Sequence, residues 1–139
     1  MKPITETSVR LLFASLESGK SDLFFSHVSD SVHWTVMGTH PLAGTYTGKQ
    51  DFTDHTFRRL DRVLKDGVRL RVTSVLVSGS TAVVELVAIS TANNGLPFHN
   101  QYCWICRFEE GKIVEVRAYL DSALVQKIID ENETDISRK

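Results

Sequence analysis

Residues 68–120 read VRLRVTSVLVSGSTAVVELVAISTANNGLPFHNQYCWICRFEEGKIVEVRAYL, and this stretch decides the fold. β-Branched, leucine and aromatic residues dominate four segments of it, and this composition predicts strands. The predicted strands are residues 68–77, 81–90, 98–108 and 112–120. Short sequences rich in Ser, Asn and Gly separate them, so neighbouring strands are expected to be antiparallel. The stretch therefore predicts a four-stranded meander.

The chain before the meander predicts two helices and one strand. Apolar residues recur every three or four positions in residues 5–16, which indicates an amphipathic helix. A second, short helix is predicted over residues 21–28. Residues 32–37 alternate between apolar and polar positions, which predicts a strand with Trp34 and Val36 on its buried face.

A loop and two more helices complete the predicted elements. Glycine and proline residues predict a loop over residues 38–48. One long helix is expected over residues 49–65. Its inner face would consist of Phe52, Thr56, Leu60 and Val63 or Leu64. Asp121 is expected to begin a last helix after the meander.

These elements predict an α+β fold, in which a cone-shaped, curved and mostly antiparallel sheet wraps around a long helix, as in a cystatin-like α+β barrel. A bent sheet does not close its open end with its own side chains, so an apolar pocket is expected there. A single domain is predicted over residues 1–139, with a frayed, solvated tail over residues 131–139.

Charge and hydropathy argue against several kinds of partner. Sixteen Lys and Arg face seventeen Asp and Glu, and a formal net charge of -1 does not attract nucleic acid or an anionic membrane. Apolar runs such as residues 82–89 are too short to span a bilayer, and the N-terminus lacks the pattern of a signal peptide. We expect a cytoplasmic protein that binds neither nucleic acid nor membrane.

Cys103 and Cys106 form a C-x-x-C pattern inside a predicted strand. Residues three apart in a strand point to opposite faces, so these two side chains should not meet. A redox or zinc pattern needs a turn or a helix start, and zinc needs further ligands. The two cysteines are therefore predicted to be independent, reduced thiols.

Four short motifs lie in order along the predicted elements. They are Trp34-Thr-Val-Met-Gly38, Pro41-Leu-Ala-Gly-Thr-Tyr-Thr-Gly-Lys49, Asn100-Gln-Tyr-Cys-Trp104, and Gly111-Lys-Ile-Val-Glu115 followed by Tyr119-Leu-Asp121. In order and spacing they resemble the SnoaL-like and ketosteroid-isomerase-like branch of the nuclear-transport-factor-two-like superfamily, over nearly the whole chain. The resemblance implies a conical barrel, usually dimeric, that holds a small hydrophobic molecule. Members include isomerases, cyclases, hydrolases, dehydratases and proteins without chemistry, so the fold does not choose the function.

The catalytic residues of two branches of this superfamily are missing here. Alternation places Val114, Val116, Ala118 and Leu120 on the inner face of the last strand. The resemblance implies that the inward Asp of epoxide hydrolases falls on Ala118, and that their Arg and second Asp fall on Leu86 and Ala88. Ketosteroid isomerases carry an Asp near the end of the first strand, where this chain has Trp34 and Val36 at the inner positions. Neither machinery can be transferred to this chain.

Aromatic and amide side chains on the third strand of the meander are the candidate ligand contacts. Alternation places on one side Phe98, Asn100, Tyr102, Trp104, Cys106 and Phe108. In one interpretation Asn100 and Tyr102 orient a ligand carbonyl or hydroxyl, and Trp34 and Trp104 stack on its apolar body. In the other interpretation all four are core residues, and Asn100 satisfies a buried backbone group.

No catalytic residue is identified from the sequence, and two candidates are considered. Asp121 would lie at the mouth of the pocket, where a helix cap explains it equally well. His40 lies in the loop that rims the pocket, where a solvated histidine is the alternative. The five histidines lack the spacing of metal ligands on a helix, so neither a metal nor another cofactor is expected.

Two functions stay open at this level. The first is binding of a small hydrophobic, carbonyl- or hydroxyl-bearing metabolite, with or without cofactor-free proton transfer of isomerase or cyclase type. The second is a non-enzymatic dimeric interaction or ligand-carrier module whose cone is filled with side chains. We also expect a homodimer through the outer sheet face, which mixes polar and apolar groups. That face carries Gln101, Cys103, Ile105, Arg107, Arg117 and Tyr119.

Overall fold

The computed structural model describes residues 3–133 and confirms the predicted α+β fold. Its helices are α1 (Glu6–Glu17), α2 (Ser21–Phe25), α3 (Lys49–His55), α4 (Phe57–Val63) and α5 (Ser122–Asn132). Its strands are β1 (Val28–Val36), β2 (Gly44–Thr47), β3 (Leu70–Ser78), β4 (Thr81–Ala88), β5 (Ser90–Thr91), β6 (Pro97–Phe98), β7 (Gln101–Glu109) and β8 (Lys112–Leu120).

Six of these strands form one mixed sheet in the order β2-β1-β8-β7-β4-β3. Strands β1 and β8 pair in parallel, and the other neighbours pair antiparallel. Strands β5 and β6 form a separate two-stranded hairpin. Register shifts interrupt three of the ladders, and such bulges bend strands and increase their twist. The predicted curved, mostly antiparallel sheet is confirmed.

The register assigns the two faces of the sheet. One row of cross-strand partners is buried, and it consists of Val36, Ala118, Trp104, Val84 and Val75. The row beside it faces outward, and it consists of Thr35, Arg117, Ile105, Val83 and Leu76. Aromatic residues of α1, α2 and α3 pack on the buried face, where they contact Trp34 and Trp104. The predicted inner and outer faces of the third meander strand are confirmed.

The predicted loop over residues 38–48 is wrong in its second half. Residues Gly44–Thr47 form strand β2, which pairs with β1 at the edge of the sheet. Threonine and tyrosine favour strands, but the glycines at both ends of this segment obscured that preference. The predicted second helix is also too long, because α2 ends at Phe25 and β1 begins at Val28.

The long helix predicted over residues 49–65 is two helices, broken at Thr56. That residue has φ -125° and ψ -75°, outside the helical range. Its hydroxyl and its backbone N–H both donate to the carbonyl of Phe52, at 2.7 and 3.0 Å. A β-branched hydroxyl residue that bonds back to the preceding turn commonly bends a helix. The predicted inner stripe is nonetheless buried along both helices.

Two strand predictions differ from the structure by local irregularities. The strand predicted over residues 98–108 is interrupted at residues 99–100, between β6 and β7. On β8, Arg107 pairs with Glu115 and Phe108 with Ile113, which leaves Val114 as the extra residue of a bulge. Ile113 is therefore fully buried and Val114 only half-buried, contrary to the predicted alternation.

The predicted tail over residues 131–139 begins too early. Helix α5 continues to Asn132, which is buried and accepts a hydrogen bond from the backbone of Asn94 at 2.7 Å. Glu133 forms an ion pair with Arg59 at 2.6 Å. Residues 134–139 lie outside the described residues.

Candidate ligand-binding site

An apolar cavity of about 40 Å³ lies between the sheet and the broken helix. The sheet contributes Trp34, Val36, Leu70, Tyr102, Trp104, Ala118 and Leu120. The helices contribute Phe52, Phe57, Leu60 and Val125, and Thr56 lines the cavity at the break between α3 and α4. The remaining lining residues are His40, Leu42 and Val68. Three of the four predicted ligand contacts, Trp34, Tyr102 and Trp104, therefore line one cavity.

The cavity is apolar, as predicted, but far smaller than a usual ligand site. Ligand sites usually enclose about 300–1,000 Å³, whereas this one has room for about three water molecules. Phe52 takes up part of the interior, and its ring stacks on Trp34 with centroids 3.9 Å apart and planes at 15°. Trp104 meets Trp34 edge-on at 5.1 Å, and Tyr102 follows Trp104 at 6.3 Å. The interior is thus an aromatic row with little free volume.

Ala118 explains where the free volume arises. It lies between Trp104 on β7 and Val36 on β1 in the sheet register, and it lines the cavity. Its methyl group fills little of the space between those larger neighbours. The resemblance placed the carboxylate of epoxide hydrolases at this position, and here the position is apolar. Within the described residues, no Asp or Glu lines the cavity.

Asn100 does not line the cavity, unlike the other three predicted ligand contacts. It is 1% exposed, and its Oδ1 accepts a hydrogen bond from the backbone N–H of Gln101 at 3.1 Å. This bond is the backbone contact expected from the alternative interpretation. Asn100 Nδ2, however, has no hydrogen-bond partner within residues 3–133. The amide is therefore only half satisfied.

Trp34, at the cavity wall, also holds a buried polar atom without a hydrogen-bond partner in the described part of the chain. Its side chain is fully buried, and Nε1 has no hydrogen-bond partner in the part of the chain that the structure describes. Buried polar groups are normally paired, and leaving one unpaired costs about 1–3 kcal/mol. Among the described side chains, Trp34 Nε1 and Asn100 Nδ2 are the two buried atoms with this deficit.

The phenol of Tyr102 is the acidic group of the cavity. Burial raises the pKa of Tyr102, and the neighbouring Asn100 side chain lowers it by a smaller amount. No hydrogen bond of normal geometry joins the two side chains, because Asn100 Nδ2 is unpaired among residues 3–133. Tyr102 is therefore neutral at physiological pH, and its hydroxyl can donate or accept a hydrogen bond.

His40 is buried at the edge of the cavity, so the alternative of a solvated loop histidine is wrong. Its Nε2–H donates to the carbonyl of Met37 at 2.9 Å, and its Nδ1 accepts the backbone N–H of Leu42 at 3.1 Å. Both nitrogens therefore bond to backbone groups of the same loop. In this conformation the imidazole holds the loop in shape and has no lone pair free for a ligand proton.

Asp121 is exposed and does not line the cavity. Its Oδ1 accepts the backbone N–H groups of Ala123 and Leu124 at 3.1 and 3.3 Å, which makes it the N-cap of α5. Capping accounts for both the identity and the position of this residue. Of the two catalytic candidates, only His40 lies at the cavity.

The loop of residues 37–43 closes one side of the cavity through polar contacts. Tyr46 donates to the carbonyl of Leu42 at 2.8 Å, and Arg59 donates to the carbonyl of Pro41 at 3.4 Å. Arg59 also pairs with Glu133 through two hydrogen bonds of 2.6 and 2.9 Å. Bonding to Arg59 lowers the pKa of Glu133 against a smaller opposing effect of burial. The ion pair thus joins α4, the loop and the end of α5.

Gly38 lets this loop approach α5 closely. It has φ +110°, and a Cβ atom there would lie 2.2 Å from Ser122 Oγ and 2.9 Å from His40 Cδ2. Any other residue would force the loop away from the helix. The place of Gly38 in the sequence predicts only the start of a loop. The contact across the fold could not be inferred from its neighbours in sequence.

The helical wall and the small residue were not predicted as parts of the site. The stripe of Phe52, Thr56 and Leu60 was predicted as core, which it is, but it also lines the cavity. Ala118 among large residues was the one sequence signal for free volume beside it. The stacking of Phe52 on Trp34 and the break at Thr56 have no clear signal in the sequence.

Cys103 and Cys106 behave as predicted. Cys106 is fully buried, Cys103 is half-buried on the outer face, and both are free thiols. Burial raises the pKa of both thiols, with smaller contributions from Glu85 at Cys103 and from Cys103 at Cys106. Neither is therefore an activated nucleophile.

Searches for a metal site and for a membrane span give no candidate in the described residues. Within residues 3–133, no group of three His, Cys, Asp or Glu side chains could hold a metal ion. No helix in that part of the chain is long and apolar enough to cross a membrane.

Comparison with known proteins gives a family match. The model of the SnoaL-like domain family matches residues 9–116, more than half of the chain. A dimerizing cyclase, phiC, from a fungal species is 27% identical over 95% of this chain and 60% of its own length. A dimerizing cyclase, tstC, from Talaromyces stipitatus is 28% identical over 78% of this chain and 50% of its own length. The chain thus spans 50–60% of the length of these curated relatives.

Solved structures share the fold at lower identity. An NTF2-like protein from Burkholderia thailandensis has a TM-score of 0.77 and 22% identity, over 93% of this chain and 98% of the other. A protein with a ketosteroid isomerase-like fold from Catenulispora acidiphila has a TM-score of 0.68 and 17% identity, over 88% and 93% of the two chains. These likenesses concern the fold alone, and the family match confirms the SnoaL-like branch to which the sequence motifs pointed.

Proposed function

Because this chain belongs to the SnoaL-like domain family, we propose that it binds a small hydrophobic, carbonyl- or hydroxyl-bearing metabolite in its cone and promotes cofactor-free chemistry of cyclase type. The observation that carries the proposal is the aromatic cavity with a neutral phenol, that of Tyr102, at its wall. Two curated relatives are named cyclases, which favours ring closure over the other reactions of the superfamily.

The proposed roles of the side chains follow from their chemistry. Trp34 and Trp104 present ring faces on which an apolar ligand stacks. Tyr102 donates a hydrogen bond to the ligand oxygen, and Asn100 lies beside it as a second donor. Donors held in an apolar site stabilise negative charge that develops on an oxygen more strongly than water does. His40 and Asp121 receive no catalytic role in this proposal.

Ring closure between an enol and a ketone of one molecule suits such a site. The π electrons of the enol form the new carbon–carbon bond, and the π electrons of the ketone move to its oxygen. The enol oxygen loses a proton and the new alkoxide gains one, so no oxidant, reductant or cofactor is consumed. Tyr102 stabilises the alkoxide oxygen, and the aromatic walls hold the chain folded.

Binding requires the cavity to open. Phe52 occupies the face of Trp34 on which a ligand ring would stack. It lies on α3, a helix of seven residues that ends at the irregular residue Thr56. We propose that α3 shifts at Thr56 and moves Phe52 aside when a ligand enters. Such a shift selects a minor conformation, so the apparent affinity is reduced by the population of that conformation.

The first experiment measures thermal stabilisation by a panel of apolar cyclic ketones and alcohols. A ligand at 100 times its dissociation constant stabilises the folded state by about 2.7 kcal/mol. Ala118→Leu should abolish the thermal stabilisation by ligands because the larger side chain fills the cavity. Tyr102→Phe should reduce this stabilisation. Ile105→Leu on the outer face is the matched control and should respond like the parent. Absence of any shift across the panel would contradict the proposal.

The second experiment tests chemistry with ligands from the first. A diketone that binds is incubated with the protein, and a cyclised isomer of equal mass is sought by chromatography. Tyr102→Phe should slow its formation, whereas Asp121→Asn should not. A bound diketone that is recovered unchanged, with product formation no faster than in buffer, would reduce the function to binding.

A second candidate function is favoured by the small volume of the cavity. With about 40 Å³ free and Phe52 stacked on Trp34, the cone resembles a filled core. A non-enzymatic interaction module would need no larger space. This alternative predicts that Phe52→Leu lowers stability without creating ligand binding, whereas the cyclase proposal predicts that this variant binds ketones more tightly.

We also propose that the chain forms a homodimer through the outer face of the sheet and works in the cytoplasm. Leu76 is 67% exposed, and its cross-strand neighbours Val83 and Ile105 are half-buried. Tyr119 is 45% exposed on the same face. The mass in solution, measured by light scattering, should be twice that of the chain, and Leu76→Glu should halve it. A monomeric parent would contradict this assembly.

A further inference from the structure

The two buried, unpaired polar atoms in the described part of the chain are both hydrogen-bond donors. Trp34 Nε1 is an indole N–H, which can donate but cannot accept. Asn100 Nδ2 is the donor end of an amide whose acceptor end already bonds to Gln101. Both of these unpaired atoms are therefore donors, and neither is an acceptor.

Within residues 3–133, the strong acceptors at the cavity are absent or already engaged. His40 Nδ1 accepts the N–H of Leu42, and no Asp or Glu lines the cavity within residues 3–133. The Thr56 hydroxyl directs its proton to the carbonyl of Phe52 at 2.7 Å, so its oxygen offers a ligand only the lone pairs of a neutral hydroxyl, as does the oxygen of Tyr102. A ligand that brings a lone pair satisfies a waiting donor, whereas a ligand O–H adds a third donor that has only those two hydroxyl oxygens to bond.

Trp34 is better placed than Asn100 to meet a ligand directly. It lines the cavity from β1, whereas Asn100 lies behind the cavity wall beside Tyr102. Trp104 lines the same cavity with the same type of side chain, but its indole nitrogen is not one of the two buried, unpaired donors. The two tryptophans therefore share size, shape and an indole N–H, and they differ in that only the N–H of Trp34 is a buried, unpaired donor.

We infer that Trp34 Nε1 is the specificity-determining donor of the site, and that it selects ligands whose oxygen is only an acceptor: a ketone, ester or lactone over the corresponding alcohol. This inference rests on the proposed function and narrows its ligand class from carbonyl or hydroxyl compounds to carbonyl compounds. Asn100 adds a second unpaired donor beside Tyr102 and so strengthens the preference for ligands that only accept hydrogen bonds. Sites whose buried polar groups are left unpaired by a ligand reject that ligand strongly.

The test uses matched pairs of probes that differ in one oxygen, namely 1-tetralone with 1-tetralol and 2-decalone with 2-decalol. Dissociation constants are measured by calorimetry on the full chain. The parent should bind each ketone about ten-fold or more tightly than its alcohol. Trp34→Phe should bring the ratio close to one. Trp104→Phe is the matched control, and it should weaken both members of a pair alike and preserve the ratio.

Folding of the variants is checked without ligand, because a smaller ring in the core changes packing. Replacement of Trp34 by 3-(3-benzothienyl)alanine keeps the ring size and removes only the N–H. Its thermal midpoint should equal or exceed that of the parent, because an unpaired donor has been removed, while its ketone preference should be lost. Retention of the preference by this isosteric variant would overturn the inference.

The remaining outcomes separate the inference from the function on which it rests. Equal affinity of the parent for ketone and alcohol overturns the donor selection but leaves ligand binding intact. Equal loss of the ratio in Trp34→Phe and Trp104→Phe also overturns it, because ring size would then explain the effect. Binding of neither member of any pair overturns both the inference and the proposed function.

Discussion

The buried core has two parts, and they differ in how well their polar atoms are paired. The closed half is the part around Phe13, Phe24 and Cys106, where the two phenylalanine rings meet edge to face at 4.9 Å and Cys106 is fully buried. The open half is the part around the cavity, where Trp34 and Asn100 are also buried but each holds an unpaired donor. Within the described residues, the unpaired atoms are confined to the open half.

This difference indicates that the open half keeps features that do not stabilise the fold. A core that only stabilises the fold gains from apolar contacts and loses from each unpaired donor. The closed half follows that rule, and the open half does not. Functional sites are where such departures concentrate, at the expense of stability. The following predictions test the contrast, beginning with the largest expected effect.

Truncation in the closed half should be the most damaging change. Phe13 is fully buried against Phe24 and Trp104, so Phe13→Ala should lower the free energy of unfolding by about 3–5 kcal/mol. Leu11→Ala on the same helix is the control, because Leu11 is 72% exposed, and its effect should stay within about 0.5 kcal/mol. Urea denaturation measures both. A small effect of Phe13→Ala would mean that the closed half is loosely packed.

Alkaline pH should lower the free energy of unfolding, and in the open half it should do so through the ionisation of Tyr102. Burial raises the pKa of Tyr102 above its unfolded value of 10.0, so the folded state holds this proton more tightly. The resulting stability is complete below pH 10 and falls by about 1.4 kcal/mol per pH unit as the unfolded chain ionises. Urea unfolding between pH 8 and 11 should show the fall in the parent and a shallower one in Tyr102→Phe. Tyr119→Phe, on the outer face, is the control. Parallel curves for parent and Tyr102→Phe would contradict the prediction.

A matched pair of polar changes should have opposite signs in the two halves. Asn100→Leu removes an unpaired donor from the open half, and the N–H of Gln101, an exposed residue, can bond to water in place of Asn100 Oδ1. The variant should therefore raise the free energy of unfolding by about 1 kcal/mol. Cys106→Ser adds a hydroxyl to the apolar closed half and should lower it by about the same amount or more. Chemical denaturation decides the signs. Destabilisation by both variants would remove the distinction between the halves.

The smallest effect is expected at the ion pair between Arg59 and Glu133, beside the loop of residues 37–43. Arg59 and Glu133 are 30% and 25% exposed, so Glu133→Gln should lower the free energy of unfolding at pH 7 by about 0.5–1 kcal/mol. Because the pKa of Glu133 is lowered in the fold, this stability is present above the ordinary Glu pKa and is lost as pH falls through the lowered value. Parent and variant should therefore converge in acid. Asp130→Asn serves as control, and a difference that persists at low pH would point to another cause.

Much of the fold was predictable because its signals are local. The alternation of Tyr102, Trp104 and Cys106 sets one face of β7 without reference to any partner strand. The stripe of Phe52, Leu60 and Val63 sets the buried face of two helices in the same way. Where an irregularity intervened, the prediction failed by one residue or one break, as at Val114 and Thr56.

The candidate site was predictable only in part. Trp34, Tyr102 and Trp104 follow from alternation, and all three line the cavity. Phe52 stacks on Trp34 although 18 positions separate them, and Glu133 pairs with Arg59 across 74 positions. No periodic pattern encodes such contacts, because they depend on how separate elements pack.

The α+β class, the faces of the strands and the apolar character of the interior follow from the amino-acid sequence, since each depends on the spacing of residues along one element. The nearly filled cone, the bonds of His40 to its own loop and the unpaired donors of Trp34 and Asn100 within residues 3–133 arise from the packing of separate elements. Free volume and unpaired hydrogen bonds are differences between many contacts, and they exist only once all the elements have packed together.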